Sequence, residues 1–112
     1  MADIVQWNVR GLRASFEELR LLCNQYIPRV VAVQECELLR NRIINLTSFS
    51  GITKSSPRDN DTGGVILYIN KSVLFSEIKL DTDLQAVAVR VSAKKTLTVC
   101  NIYLPLLLDV NF

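Results

Sequence analysis

The sequence predicts a layered α/β fold: a βαβ unit first, then a run of strands paired mainly antiparallel. Two observations carry this. A strand-like run, a helical run and an apolar strand-like run all fall within the first 35 residues. After the Gly63-Gly64 pair, four further strand-like runs follow one another with breaks too short to hold a helix. With 112 residues, 49% of them hydrophobic, the chain is one domain at most and long enough to bury a core.

"DIVQWN" alternates as a short first strand, and "RGLRA" turns the chain. "SFEELRLLCNQY" reads as a helix whose Ser15 and Glu18 have capping-box spacing. Phe16, Leu19, Leu22, Cys23 and Tyr26, three or four apart, give it one apolar stripe, and Pro28 ends it. "RVVAVQE" is a second strand, apolar on both faces. "ELLRNRIINL", residues 37 to 46, reads as a short helix in preference to an irregular crossing, and "TKSSPRDNDTGG" as a polar loop. "GVILYIN", "SVLFSEIKL", "LQAVAVRVS" and "TLTVCNIYL" complete a β-meander, with "SAKK" as a hairpin turn.

The composition restricts the chemistry. Histidine is absent, which removes the commonest general base and the commonest zinc ligand, so carboxylates, amides, hydroxyls or a hard cation must serve. A net charge of +2 permits nucleic acid as a partner without arguing for it. No apolar run approaches the roughly 20 residues of a membrane span, and "MADIVQWN" lacks the basic-then-apolar layout of a secretory signal. Cys23, Cys36 and Cys100 have no CxxC spacing and read as reduced thiols in or near the core of an intracellular protein.

The βαβ unit implies parallel pairing, and parallel neighbours end at the same edge of a sheet. Asn8 ends the first strand and Glu35 the second, so the two converge at the carboxyl edge, where ligands of α/β sheets gather. A carboxylate off the end of an interior strand needs a partner: arginine, lysine or a metal ion. Amide and carboxylate together make half a site for a hard cation such as Mg²⁺.

"QWNVRGL", "VVAVQE", "GGVILYI" and "VCNIYLP", taken in that order, resemble the first half of the endonuclease/exonuclease/phosphatase superfamily, nearest to the apurinic-like endonuclease domain of non-LTR (LINE-type) retrotransposons. The resemblance runs from Ile4 to Pro105 and implies a truncated DNase I-like sandwich, with residues 1–112 as the N-terminal part of one such domain. It makes Asn8 an organiser of metal and phosphate, Glu35 a ligand of Mg²⁺ or Mn²⁺, and Tyr103 a catalytic hydroxyl facing the scissile phosphate, with Asn101 one same-face step before it. Gln34 is either an orienting neighbour of Glu35 or an exposed amide. Lys54 and Arg58 in the polar loop could reach a phosphate backbone, although a solvated loop explains them as well. The plain alternatives are a solvated strand end for Glu35, a half-buried strand aromatic for Tyr103 and a core residue for Trp7.

The chain also departs from the family's pattern. Arg10 stands where many relatives carry Asn or Asp, and the superfamily's second half supplies an Asp-x-Asn pair and a terminal Asp-His pair. Asp109-Val110-Asn111 has Asp-x-Asn spacing, through either an internal deletion or coincidence.

The implied activity is Mg²⁺-dependent nicking of DNA by a retrotransposon reverse-transcriptase polyprotein, with the nucleus as its place of action and the isolated chain inactive. The alternatives are a lipid or inositol phosphate phosphoesterase of the same superfamily, and a non-catalytic remnant that binds nucleic acid or protein. The apolar faces of "GVILYI" and "AVAVRV" are expected to lack cover in so short a chain, promoting self-association through open faces or edges.

Overall fold

The computed structural model describes residues 3–37, 43–54, 64–92 and 94–104. It contains β1 (Ile4–Asn8), α1 (Leu12–Tyr26), β2 (Val30–Gln34), β3 (Phe49–Lys54), β4 (Val65–Asn70), β5 (Leu74–Ile78), β6 (Gln85–Ser92) and β7 (Thr96–Tyr103). These form a four-stranded sheet of order β1-β2-β4-β3 and a three-stranded sheet of order β5-β6-β7. β1 and β2 pair in parallel, with Asn8 opposite Gln34; every other pairing is antiparallel.

The chain builds three layers: helix, first sheet, second sheet. Val31 and Val33 of β2 and Ile66 and Tyr68 of β4 point toward α1, packing with Leu12, Leu19 and Cys23; Trp7 and Phe16 close the margin of this cluster. On the other face of the same sheet, Val30, Ala32, Val65, Leu67 and Ile69 pack against Val87, Val89, Val91 and Val99 of the second sheet. Covered on both faces, β2 is buried at every position, as its unbroken apolar run requires.

Several expectations are corrected. "GVILYI" and "AVAVRV" do not lack cover, because their inner faces cover each other. The four last strands are not one meander: β4 joins the first sheet between β2 and β3, and only β5, β6 and β7 run on as neighbours. β3 is a strand the sequence reading missed, so Thr53 and Lys54 belong to a strand rather than a loop. At Gly51 a Cβ would lie 3.0 Å from Ile43 and 3.2 Å from the Tyr68 ring, so glycine lets β3 close on β4 there.

Residues 43–46 are irregular rather than helical; residues 38–42 of the expected short helix lie outside the described residues, as do 55–63 with Arg58 and 105–112 with Asp109 and Asn111. The helix begins at Leu12 with Gly11 as its N-cap and no side-chain cap, so Ser15 and Glu18 form no capping box; the Ser15 hydroxyl donates instead to the Val9 carbonyl at 3.3 Å. Tyr26 is exposed and lies off the apolar stripe. Cys23 and Cys36 are buried free thiols, and burial pushes Cys36 up to about 12, but Cys100 is exposed on the outer face of the second sheet. No helix among the described residues is long and apolar enough to cross a membrane.

Candidate active site at the carboxyl edge of the first sheet

The parallel β1–β2 pair delivers two chain segments to one edge, and their exits are bonded to each other. The Val9 N–H donates to the Gln34 carbonyl at 3.0 Å, Gly11 to that of Glu35 at 2.8 Å and Leu12 to that of Cys36 at 3.0 Å. The Leu12 bond satisfies a donor in the first turn of α1, where no side-chain cap does so. Pressing the two exits together leaves Arg10, Glu35 and Glu37 with φ of 49°, 53° and 54°, in the left-handed region that non-glycine residues rarely adopt, and Gly11 at 105°. A Cβ on Gly11 would stand 3.0 Å from a carboxylate oxygen of Glu37. Non-glycine residues in this conformation cost on the order of 1–3 kcal/mol each, and such residues concentrate at functional sites.

β7 supplies the third side. Its inner-facing residues alternate Val99, Asn101, Tyr103, and the Tyr103 hydroxyl donates to Glu35 Oε1 at 2.6 Å. The other carboxylate oxygen of Glu35 lies 3.9 Å from Arg10 Nε; the Glu35 side chain is 23% exposed and that of Arg10 86%, so solvent reaches the carboxylate and the ion pair is weak. The hydrogen bond to Glu35, aided by burial and the carboxylate charge, holds Tyr103 above the ordinary phenol range. Tyr103 is therefore a donor at neutral pH. Asn8, exposed, lines an open cleft of about 580 Å³ between β1 and β7 together with Gln6, Gln34, Asn101 and Tyr103.

The three residues singled out from sequence, Asn8, Glu35 and Tyr103, thus lie around one edge. Lys54 points elsewhere, its ammonium donating to the Thr82 carbonyl. Gln34 is not an exposed amide. It is buried, accepts from Gln6 and donates to Asn101, which is itself 2% exposed and donates to the Val33 and Ile66 carbonyls at 3.0 and 2.8 Å. Glu37 and Gln6 were not anticipated; Gln6 was legible as the residue two before Asn8 on the same strand face.

A single carboxylate with one oxygen open to solvent and an amide at the same sheet edge suit a hard divalent cation that keeps most of its hydration shell, as Mg²⁺ does. Among the described residues no group of three acidic, histidine or cysteine side chains could enclose a metal.

No family model and no curated protein matches the chain. Solved structures do. A 3′–5′ exonuclease of Neisseria meningitidis superposes with a TM-score of 0.65 at 20% identity, over 89% of this chain and 40% of that one. A Neisseria 3′ phosphatase bound to a product DNA hairpin gives 0.67 at 20% identity, over 92% and 41%. The catalytic domain of Xenopus laevis APE2 gives 0.64 at 18% identity, over 91% and 45%. The chain spans less than half the length of each of these proteins. At such identities the likeness concerns architecture: the chain has the layered, two-sheet α/β fold of DNase I-like proteins, in truncated form.

Proposed function

We propose that the chain is the N-terminal part of a divalent-cation-dependent domain that cleaves phosphodiesters in DNA, of the kind carried by non-LTR retrotransposon polyproteins. The observation that supports it most is the meeting of Glu35 and Tyr103, from different sheets, at the edge that Asn8 also occupies. The structural neighbours, an exonuclease and a phosphatase seen with DNA, point to the same substrate class.

In this reading Glu35 and Asn8 hold Mg²⁺ or Mn²⁺, which when bound polarises the phosphate and stabilises developing charge. Tyr103, kept protonated, exchanges its bond to Glu35 for one to a phosphate oxygen. Glu35 would hold the cation through its carboxylate, the oxygen facing Arg10 being the one that solvent reaches. The 112 residues hold no histidine to act as general base, and the resemblance assigns that role to the superfamily's second half.

The test has two arms. In the 112-residue chain, Glu35→Gln should abolish Mn²⁺ binding measured by paramagnetic resonance, because the amide keeps the shape and loses the charge. In a chain extended with the superfamily's second half, the same substitution should slow nicking of supercoiled plasmid by orders of magnitude, whereas the 112-residue chain should not nick at all; loss of a general base alone costs about 10²- to 10⁴-fold. Wild-type nicking by the extended Glu35→Gln variant would return Glu35 to a strand-end carboxylate. The edge strands β1 and β7 beside the cleft also support concentration-dependent self-association, measurable by sedimentation.

A further inference from the structure

We propose that Gln34 and Asn101 are positioning residues: a buried amide clamp between the two sheets that sets where Tyr103 meets Glu35. The proposal rests on the reading of Glu35 as a cation ligand and deepens it. Asn101 and Tyr103 share the inner face of β7, and Gln34 and Glu35 are consecutive at the end of β2. Two ties therefore join the same strand ends, Gln34 to Asn101 within the core and Glu35 to Tyr103 at the rim.

Apart from Gln85, which accepts from the Gly64 N–H at the start of the same face of β6, the rest of the inter-sheet layer is apolar: Val30, Ala32, Leu67, Val87, Val89 and Val99. Apolar contact is non-directional and gives little preference for one sliding position of a sheet over another. The clamp is directional. Asn101 has three partners on two strands: the carbonyls of Val33 and Ile66, which face each other across β2 and β4, and the Gln34 amide. A one-residue slip of β7 would turn Asn101 and Tyr103 to the outer face together.

Burying two amides where an apolar pair would pack is unfavourable unless each group is satisfied, and among the described residues no buried side-chain nitrogen or oxygen lacks a partner. Satisfied polar groups in a mainly apolar layer specify register; Gln85 ties β6, and the Gln34–Asn101 pair ties β7, whose register is that of Glu35 and Tyr103.

The experiment uses the 112-residue chain with the double substitution Gln34→Met, Asn101→Leu. Replacing both partners of a buried hydrogen bond by apolar groups of similar shape is close to neutral for stability, and Gln6, exposed, regains water. Two readouts are followed: Mn²⁺ affinity by paramagnetic resonance, and the nuclear Overhauser contact between the Tyr103 ring and the Glu35 side chain. The expected result is a folded chain that has lost the contact and binds Mn²⁺ about 10- to 100-fold more weakly, the range for loss of a group that orients a ligand. Val91→Ala is the control, lowering the melting temperature while leaving both readouts intact.

A double variant that keeps the Tyr103–Glu35 contact overturns the proposal whatever its metal affinity. If the wild-type chain binds no Mn²⁺ but the variant loses the contact, the clamp stands and the cation reading of Glu35 fails. Should the double variant not fold, Gln34→Ala, which leaves Asn101 its two carbonyl partners, is judged by the same contact, and its survival there overturns the proposal.

Discussion

Gln34 and Glu35 are neighbours in sequence and opposites in physics. Gln34 has extended backbone, is buried and has its amide bonded on both sides. Glu35 is left-handed at φ 53°, reaches solvent and shares its carboxylate between a tyrosine and a distant arginine. The strand ends between them. Below that point side chains hold position, and above it strained backbone presents charge. The two zones should therefore respond to different perturbations: substitutions below should move stability first, and substitutions above should move ligand binding.

Leu67→Ala is the largest test. Leu67 is fully buried between the sheets, and truncating such a side chain costs about 2–5 kcal/mol. Urea unfolding should show this loss, whereas Glu35→Gln should shift the midpoint little. Equal losses for the two would erase the distinction, making Glu35 a structural residue.

Alkaline pH separates the zones by titration. Burial raises the Cys36 thiol from its ordinary value of 9.0 to about 12 in the folded chain. A raised acid contributes stability fully below its unfolded value and loses it as pH climbs through the folded one. The loss thus falls between about pH 9 and 12, at about 1.4 kcal/mol per pH unit for one proton. Cys36→Ala should flatten the slope in that window. Tyr103, also raised, adds to the loss above the ordinary phenol range, so Tyr103→Phe should flatten it further, but only there.

How much of this was legible in sequence follows the same boundary. The parallel β1–β2 unit could be read because Val30–Val33 is an apolar run after a helix-ending proline, and so Asn8 and Glu35 had to share an edge. β3 could not, since "FSGITK" has no clean alternation and exists as a strand through its pairing with β4 and the space at Gly51. The helix start was misread because its first donors are taken by carbonyls of the β2 exit, a tertiary arrangement that mimics a cap without a capping side chain. Tyr103 was assigned through resemblance, and Asn101 was noted only as its same-face neighbour, because an inter-sheet bond leaves no local signature.

Gly11→Ala probes the exit loops directly. At φ 105° an alanine is strained, and its Cβ would meet Glu37 at 3.0 Å. The expected loss is about 1–2 kcal/mol by urea unfolding. The β1–β2 exits should separate in the process, with Mn²⁺ affinity falling too, so this variant should lower both quantities together. An unchanged affinity would mean that Glu35 does not depend on the exit loops for its placement.

Arg10→Gly should have the smallest effect on stability, and in the opposite sense. Arg10 sits at φ 49° with a side chain that is 86% exposed and 3.9 Å from the Glu35 carboxylate. Glycine relieves a left-handed strain of roughly 1–2 kcal/mol, offset in part by the greater freedom glycine gives the unfolded chain. A net gain of about 0.5–1 kcal/mol should remain, since so exposed an ion pair contributes little. The substitution also removes a positive charge from beside the oxygen that a cation would use. A positive charge this close to the carboxylate opposes cation binding by on the order of 1 kcal/mol in a water-like medium, which corresponds to roughly fivefold in affinity. Arg10→Gly should thus melt higher and bind Mn²⁺ several-fold more tightly at low salt, with the affinity gain fading as salt screens the charge. A more stable variant whose Mn²⁺ affinity fell would identify Arg10 as a partner of the bound state, and the charged rim would then be assembled around the arginine rather than in spite of it.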